Sequence, residues 1–107
     1  LSRGIPHIPG TITPGEVEQA NALGLEVLKF FPAEAAGGVD FLKSLAAVYP
    51  DVSFVPTGGI KKDNLHDYLA LPNVVACGGS WLTNRRWVEA GEYERIVEAC
   101  IDARTGV

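Results

Sequence analysis

Short apolar runs alternate with helix-periodic stretches four times along the 107 residues. That alternation is the sequence form of β-α units around a parallel sheet. The first run, residues 5–9, leads into TPGEVEQANALG, where Thr13 reads as an N-cap, Pro14 as the first helical residue, Glu16 as its capping-box partner and Gly24 as the stop. A helix over 14–23 is predicted. The second run, 26–31, is followed beyond Gly37 and Gly38 by a helix over 39–48 that ends before Pro50. The third run, 52–56, precedes TGGI and a helix over 63–70; the fourth, 73–77, precedes GGSWL and an amphipathic helix over 93–103. No linker or low-complexity stretch divides these units, so residues 1–107 are expected to form one domain. The start at Leu1, without a methionine, carries the expectation of a piece of something longer.

Strands apolar on both faces, each followed by a helix, leave an open doubly wound sheet or a closed barrel. The glycine pairs favour the barrel. Gly58 and Gly59 follow the third run and Gly78 and Gly79 the fourth, and (β/α) barrels often hold phosphate in the loops after their last strands. Amides bared by glycine beside a helix N-terminus suit a dianion without any arginine. Against this stands the plain reading that these glycines only turn the chain.

Composition narrows the partners. With 47% hydrophobic and 21% charged residues, a net charge of −4 and a pI near 5.0, the chain lacks the basic excess that a nucleic-acid surface needs. No run approaches the roughly 18 apolar residues of a membrane span, and no signal segment is read at the start, so no membrane partner is expected and the cytoplasm is the expected compartment. Cys77 and Cys100 have no metal or redox spacing and read as small buried hydrophobes. His7 and His66 lie on different units without ligand spacing, so no metal is expected. Lys61 and Lys62 read as solvated rather than anion-steering, Trp81 and Trp87 as packing residues, and Arg85 and Arg86 as surface or subunit contact.

One charge stands out. In LEVLKFF, alternation puts Val27, Lys29 and Phe31 on one face and Leu28 and Phe30 on the other. Facing a barrel lumen, the Lys29 ammonium is expected to lose water and its pKa to fall from about 10.4, which makes a nucleophile for Schiff-base chemistry. The competing readings are a structural ion pair with Glu34 or Glu26, or a side chain that snorkels out at the sheet edge.

KFFPAEAAGG, FVPTGGI and GGSWL, in that order and spacing, resemble the 2-keto-3-deoxy-6-phosphogluconate (KDPG) and 4-hydroxy-2-oxoglutarate (KHG) aldolases. The opening IPHIPGTITPGE resembles that family's fifth strand and following helix, so the likeness covers nearly the whole chain. It implies an α/β chain from a (β/α)8 TIM barrel of which these four units are the second half, strands five to eight. It also implies a cytoplasmic, homo-oligomeric (typically trimeric) class I aldolase that needs neither metal nor cofactor. Such a lyase cleaves KDPG to pyruvate and glyceraldehyde 3-phosphate, and 4-hydroxy-2-oxoglutarate to pyruvate and glyoxylate.

Carried onto this sequence, the resemblance makes Lys29 the Schiff-base lysine and sets Thr57 beside the substrate's hydroxylated carbons. Phe31 and Pro32 then shape the lumen, while Gly58, Gly59, Gly78, Gly79 and Ser80 cradle the phosphate. The family's acid/base glutamate and its carboxylate-holding arginine and threonine have no matching position here. Glu34 is a weak substitute, since it lies past the strand end. Two alternatives stay open: another phosphate-binding barrel, such as a thiamine phosphate synthase or ribulose-phosphate epimerase, which leaves Lys29 unexplained, and a non-catalytic phosphate-binding half. With unpaired edges and no opposite wall, a half barrel is expected to self-associate or aggregate.

Overall fold

The computed structural model describes residues 1–105. The TPGE stretch forms the predicted helix, α1 (Pro14–Ala22), and both halves of its capping box are present. The Glu16 N–H donates to Thr13 Oγ1 at 3.3 Å, while Glu16 Oε1 accepts the Thr13 N–H at 2.9 Å and the Ile12 N–H at 3.0 Å. Gly24, just past the helix, takes φ +83°, the left-handed turn that glycine allows.

Three strands, β1 (Gly10–Thr11), β2 (Val27–Phe30) and β3 (Ser53–Pro56), form a parallel sheet in the order β1-β2-β3. Between β2 and β3 come a short helix, α2 (Ala33–Ala36), and α3 (Gly38–Val48). After β3 come α4 (Lys62–Leu69), a 3-10 turn over Ser80–Thr83, α5 (Arg85–Glu89) and α6 (Tyr93–Arg104).

Two predicted strands are corrected. Residues 5–9 are not a strand; β1 starts only at Gly10, because Pro6 and Pro9 have no N–H to give a ladder, and Ile5 and Ile8 are exposed. Pro9 still offers its carbonyl to the Lys29 N–H at 2.8 Å. Residues 73–77 run beside β3 without forming a continuous ladder. The Phe54 N–H donates to the Asn73 carbonyl at 2.7 Å, the Val75 N–H to Phe54 at 3.1 Å and the Gly78 N–H to Pro56 at 3.0 Å, giving isolated bridges at Val74 and Gly78.

Alternation in β2 is as the pattern demands. Leu28 and Phe30 are fully buried on one face, and Val27, Lys29 and Phe31 lie on the other. The buried face meets Val17 and Ala20 of α1, Leu42 and Leu45 of α3, and Leu65 and Tyr68 of α4 in a single core. Phe30 anchors it, stacked on Phe41 at 5.7 Å between ring centres and edge-on to Phe54 at 6.4 Å. Burying each such ring contributes roughly 1.5–3 kcal/mol. The opposite face has no cover: Val27, Phe31 and Val75 are exposed. On α6 the Tyr93, Val97 and Ile101 stripe is exposed too, while Ala103 of the same helix packs against the core. A Lys62–Asp102 ion pair at 2.6 Å joins α4 to α6, with both side chains largely exposed. No helix among the described residues is long and apolar enough to cross a membrane.

Candidate active site

The register places Lys29 between Gly10 on β1 and Val55 on β3. Because Gly10 has no side chain and nothing lies within 4 Å of where its Cβ would be, space opens beside the lysine. The result is an open groove of about 490 Å³, lined among others by Lys29, Phe31, Thr11, His7 and Glu16. Thr11 holds the strand from its buried side, its hydroxyl donating to the Lys29 carbonyl at 3.0 Å.

The expected burial of Lys29 is corrected. Its side chain is only partly buried, since the face it points from has no opposite wall, and its Nζ lies 4.7 Å from the Phe31 ring centre, in cation–π range. Neither Glu34 nor Glu26 pairs with it, and among the described residues no carboxylate does. Glu16 shares the groove but is engaged in the α1 cap. Hydrogen bonds from the Thr13 and Ile12 N–H groups and the Thr13 hydroxyl hold its carboxyl below the usual glutamate value.

The glycine pairs sit on the neighbouring side of Phe31. A second groove of about 390 Å³ is lined by Phe31, Thr57, Gly58, Gly59, Gly79 and Ser80, together with Ile60, Lys61 and Trp81. Gly58 at φ +103° and Gly59 at φ +75° adopt backbone that side chains rarely take. Packing demands glycine there as well: a Cβ at Gly58 would stand 3.1 Å from Pro32 Cα, and one at Gly59 2.7 Å from the Glu34 stem. At Gly79 a Cβ would run into the Trp81 ring.

Gly78 lies outside this lining. It backs Thr57 instead, where a Cβ would meet the threonine hydroxyl at 2.9 Å. Pro32 lies beneath Gly58 rather than in either groove. Period-2 alternation along paired strands puts Lys29, Phe31, Val55 and Thr57 on one face, so lysine and glycine loop open on the same side, with Phe31 as the common wall.

Residues that sequence reading passed over hold this loop. Asn64 had no role assigned, yet its Nδ2 donates to Glu34 Oε1 at 2.6 Å and to the Gly59 carbonyl at 3.0 Å, and its Oδ1 accepts the Lys61 N–H at 2.7 Å. Its place in the first turn of α4, three after Lys61, is the one local signal. Behind Glu34 lies Tyr68, whose buried hydroxyl closes no hydrogen bond; burial first, then the Glu34 charge, pushes its pKa up to about 12.

Of the cysteines, Cys77 is partly buried and burial pushes its thiol up to about 11, whereas Cys100 is exposed on α6, against the expectation for it. Lys62 is engaged with Asp102, and Arg85 with Glu89 at 2.8 Å. Among the described residues no group of three or more His, Cys, Asp or Glu side chains is arranged to hold a metal ion.

Fold and site define a class: a parallel α/β protein with a strand lysine beside a glycine-lined groove. Comparison with known proteins gives the family. The model of the KDPG and KHG aldolase family matches residues 2–99, and the chain belongs to that family. The 2-dehydro-3-deoxy-phosphogluconate aldolase of Treponema pallidum (strain Nichols) is 46% identical over 96 residues, covering 90% of this chain and 46% of that protein. The KHG/KDPG aldolase of Escherichia coli (strain K12) is 47% identical over 102 residues, 95% of this chain and 48% of that one. Among solved structures, KDPG aldolase from Legionella pneumophila, with pyruvate captured at low pH as a covalent carbinolamine intermediate, superposes with a TM-score of 0.91. It is 41% identical and is matched over 94% of this chain and 48% of its own. The chain thus spans about half the length of the relatives it matches.

Proposed function

We propose that this chain carries the nucleophile and the phosphate cradle of a class I KDPG/KHG aldolase, on the second half of a (β/α)8 barrel. The carrying observation is the shared Phe31 wall, which sets Lys29 and the Thr57 to Gly59 loop on one open face although they come from different strands. Sequential strand order, with residues 73–78 next to β3, supports the barrel reading. The carbinolamine that pyruvate forms in the Legionella pneumophila enzyme supports the lysine chemistry.

In this reading the neutral Lys29 amine attacks the C2 ketone of KDPG, and the carbinolamine loses water to give an iminium. The C3–C4 bond then breaks as the C4 hydroxyl proton leaves. Its electron pair moves into the iminium as an enamine, and glyceraldehyde 3-phosphate departs. Protonation at C3 and hydrolysis free pyruvate and Lys29. Gly58, Gly59, Gly79 and Ser80 hold the phosphate, Gly78 sets Thr57 from behind, and Thr57, in the lining of the glycine groove, lies beside the hydroxylated carbons. With 4-hydroxy-2-oxoglutarate the same steps give pyruvate and glyoxylate. The accompanying setting is cytoplasmic and homo-oligomeric, trimeric as in the family.

The proton relay is the weak link of the chain on its own. Glu16 is tied into the α1 cap, and Glu34 is bonded to Asn64 and lines neither groove. General acid/base catalysis is typically worth about 10²- to 10⁴-fold. That supports a second reading, a phosphate-binding half without turnover until a further segment supplies the base. Pyruvate release from KDPG, measured by coupled reduction to lactate, tests the proposal. The chain alone is expected to be slower by at least about 100-fold than the chain combined with a polypeptide carrying the other barrel half. Equal rates for wild type and Lys29→Ala in that combination contradict the assignment of Lys29.

A further inference from the structure

The geometry points to Glu34 and Asn64 as a positioning pair for the phosphate cradle, an inference that rests on the cradle reading above. Four hydrogen bonds meet at the loop. Asn64 Nδ2 bridges Glu34 Oε1 at 2.6 Å and the Gly59 carbonyl at 3.0 Å, Asn64 Oδ1 accepts the Lys61 N–H at 2.7 Å, and the Glu34 N–H donates to the Gly58 carbonyl at 3.1 Å. One carboxamide therefore spans the glycine loop from Gly59 to Lys61, and the carboxylate fixes that carboxamide.

The stem of Glu34 is held in place like its head, because its Cβ and Cγ lie where a Gly59 side chain would start. Gly58 and Gly59 at positive φ have no side-chain contacts of their own to hold them. They line the groove, and the loop keeps that course only if something else pins it. The pair also links the two ends of the site in sequence. Glu34 follows Lys29 by five residues, through the turn where the Ala33 N–H donates to the Thr57 carbonyl at 2.8 Å. Glu34 is thus a brace between the lysine strand and the cradle, an acidic side chain set against the loop proposed to hold an anion.

An acidic residue at this place makes the role testable. If Glu34 acted only as a like charge near the ligand, its removal would tighten phosphate binding; if it positions the loop, removal weakens it, and glutamine, whose amide oxygen still accepts from Asn64, rescues it. Inorganic phosphate is titrated into the 107-residue chain and followed by ³¹P line broadening, with far-UV circular dichroism as the check on fold. Asn64→Ala and Glu34→Ala are expected to weaken binding by about tenfold, the scale of one charge-assisted hydrogen bond, while Glu34→Gln stays within about twofold of wild type. Should Asn64→Ala lose its fold, the contrast between Glu34→Ala and Glu34→Gln decides alone. Unchanged or tighter binding by Glu34→Ala overturns the inference and leaves the cradle standing. A folded wild type that broadens no phosphate signal overturns the cradle and the inference together.

Discussion

The ammonium nitrogen of Lys29 stands 4.7 Å from the centre of the Phe31 ring, and that ring also walls the glycine groove. Two residues apart on one strand face, they bring the lysine groove and the glycine groove to the same ring. Since the lysine is only partly buried, its surroundings in this chain are an open groove and an aromatic ring rather than a dry pocket.

Thr13 and Glu16 close the start of α1 on each other, which fixes the groove wall beside Lys29. Thr13→Ala is expected to lower unfolding stability in urea by about 1 kcal/mol. The Glu16 carboxyl is held below its ordinary value of 4.5 by the cap hydrogen bonds, so its contribution is present above that pH and is lost as pH falls through the lowered folded value. The stability gap between wild type and Glu16→Gln should therefore shrink as pH is lowered from about 5 towards 3. A gap that widens on acidification would show that the cap is not the source of the shift.

Tyr68 buries a hydroxyl with no partner beside Glu34. An unsatisfied buried hydroxyl costs about 1–3 kcal/mol, so Tyr68→Phe is expected to leave stability unchanged or raise it by up to about 1 kcal/mol. A loss of about 1 kcal/mol or more in the urea midpoint analysis would mean that the hydroxyl bonds Glu34 in solution.

The two thiols should part company under alkylation. Cys100 is exposed on α6 and is expected to react with iodoacetamide in the native chain at about pH 7.5. Cys77, whose thiol burial pushes up to about 11, stays neutral there and reacts only after denaturation or near that higher pH. Peptide mapping of the alkylated protein reads both at once. Early labelling of Cys77 would show that the β3 edge opens in solution.

How much of this was legible in the sequence differs from one element to the next. Thr13, Pro14, Glu16 and Gly24 marked both ends of α1 because capping is local chemistry, settled within about four residues. Strict alternation put Lys29 on the face opposite Leu28 and Phe30, as β2 has it. The pairing partners of residues 5–9 and 73–77 were not legible, since an apolar run looks alike whether it forms a ladder, a single bridge or none. The short α2 and α5 and the Ser80–Thr83 turn fall below the length at which periodicity shows.

At the site, the lysine and the glycine pairs could be read because their chemistry is unusual for their places. The depth of Lys29 could not, because burial depends on what lies opposite. Asn64 was passed over since its bond to Glu34 spans thirty residues and no local pattern announces it.

The most direct measurement is borohydride reduction of the folded chain in the presence of pyruvate, read by intact mass and peptide mapping, with Lys29→Ala as control. A pyruvate-sized reduced adduct on Lys29, absent in the variant, is the predicted result. A folded chain that takes up no adduct, or takes it equally at Lys43, Lys61 or Lys62, contradicts the assignment of Lys29 as the Schiff-base nucleophile.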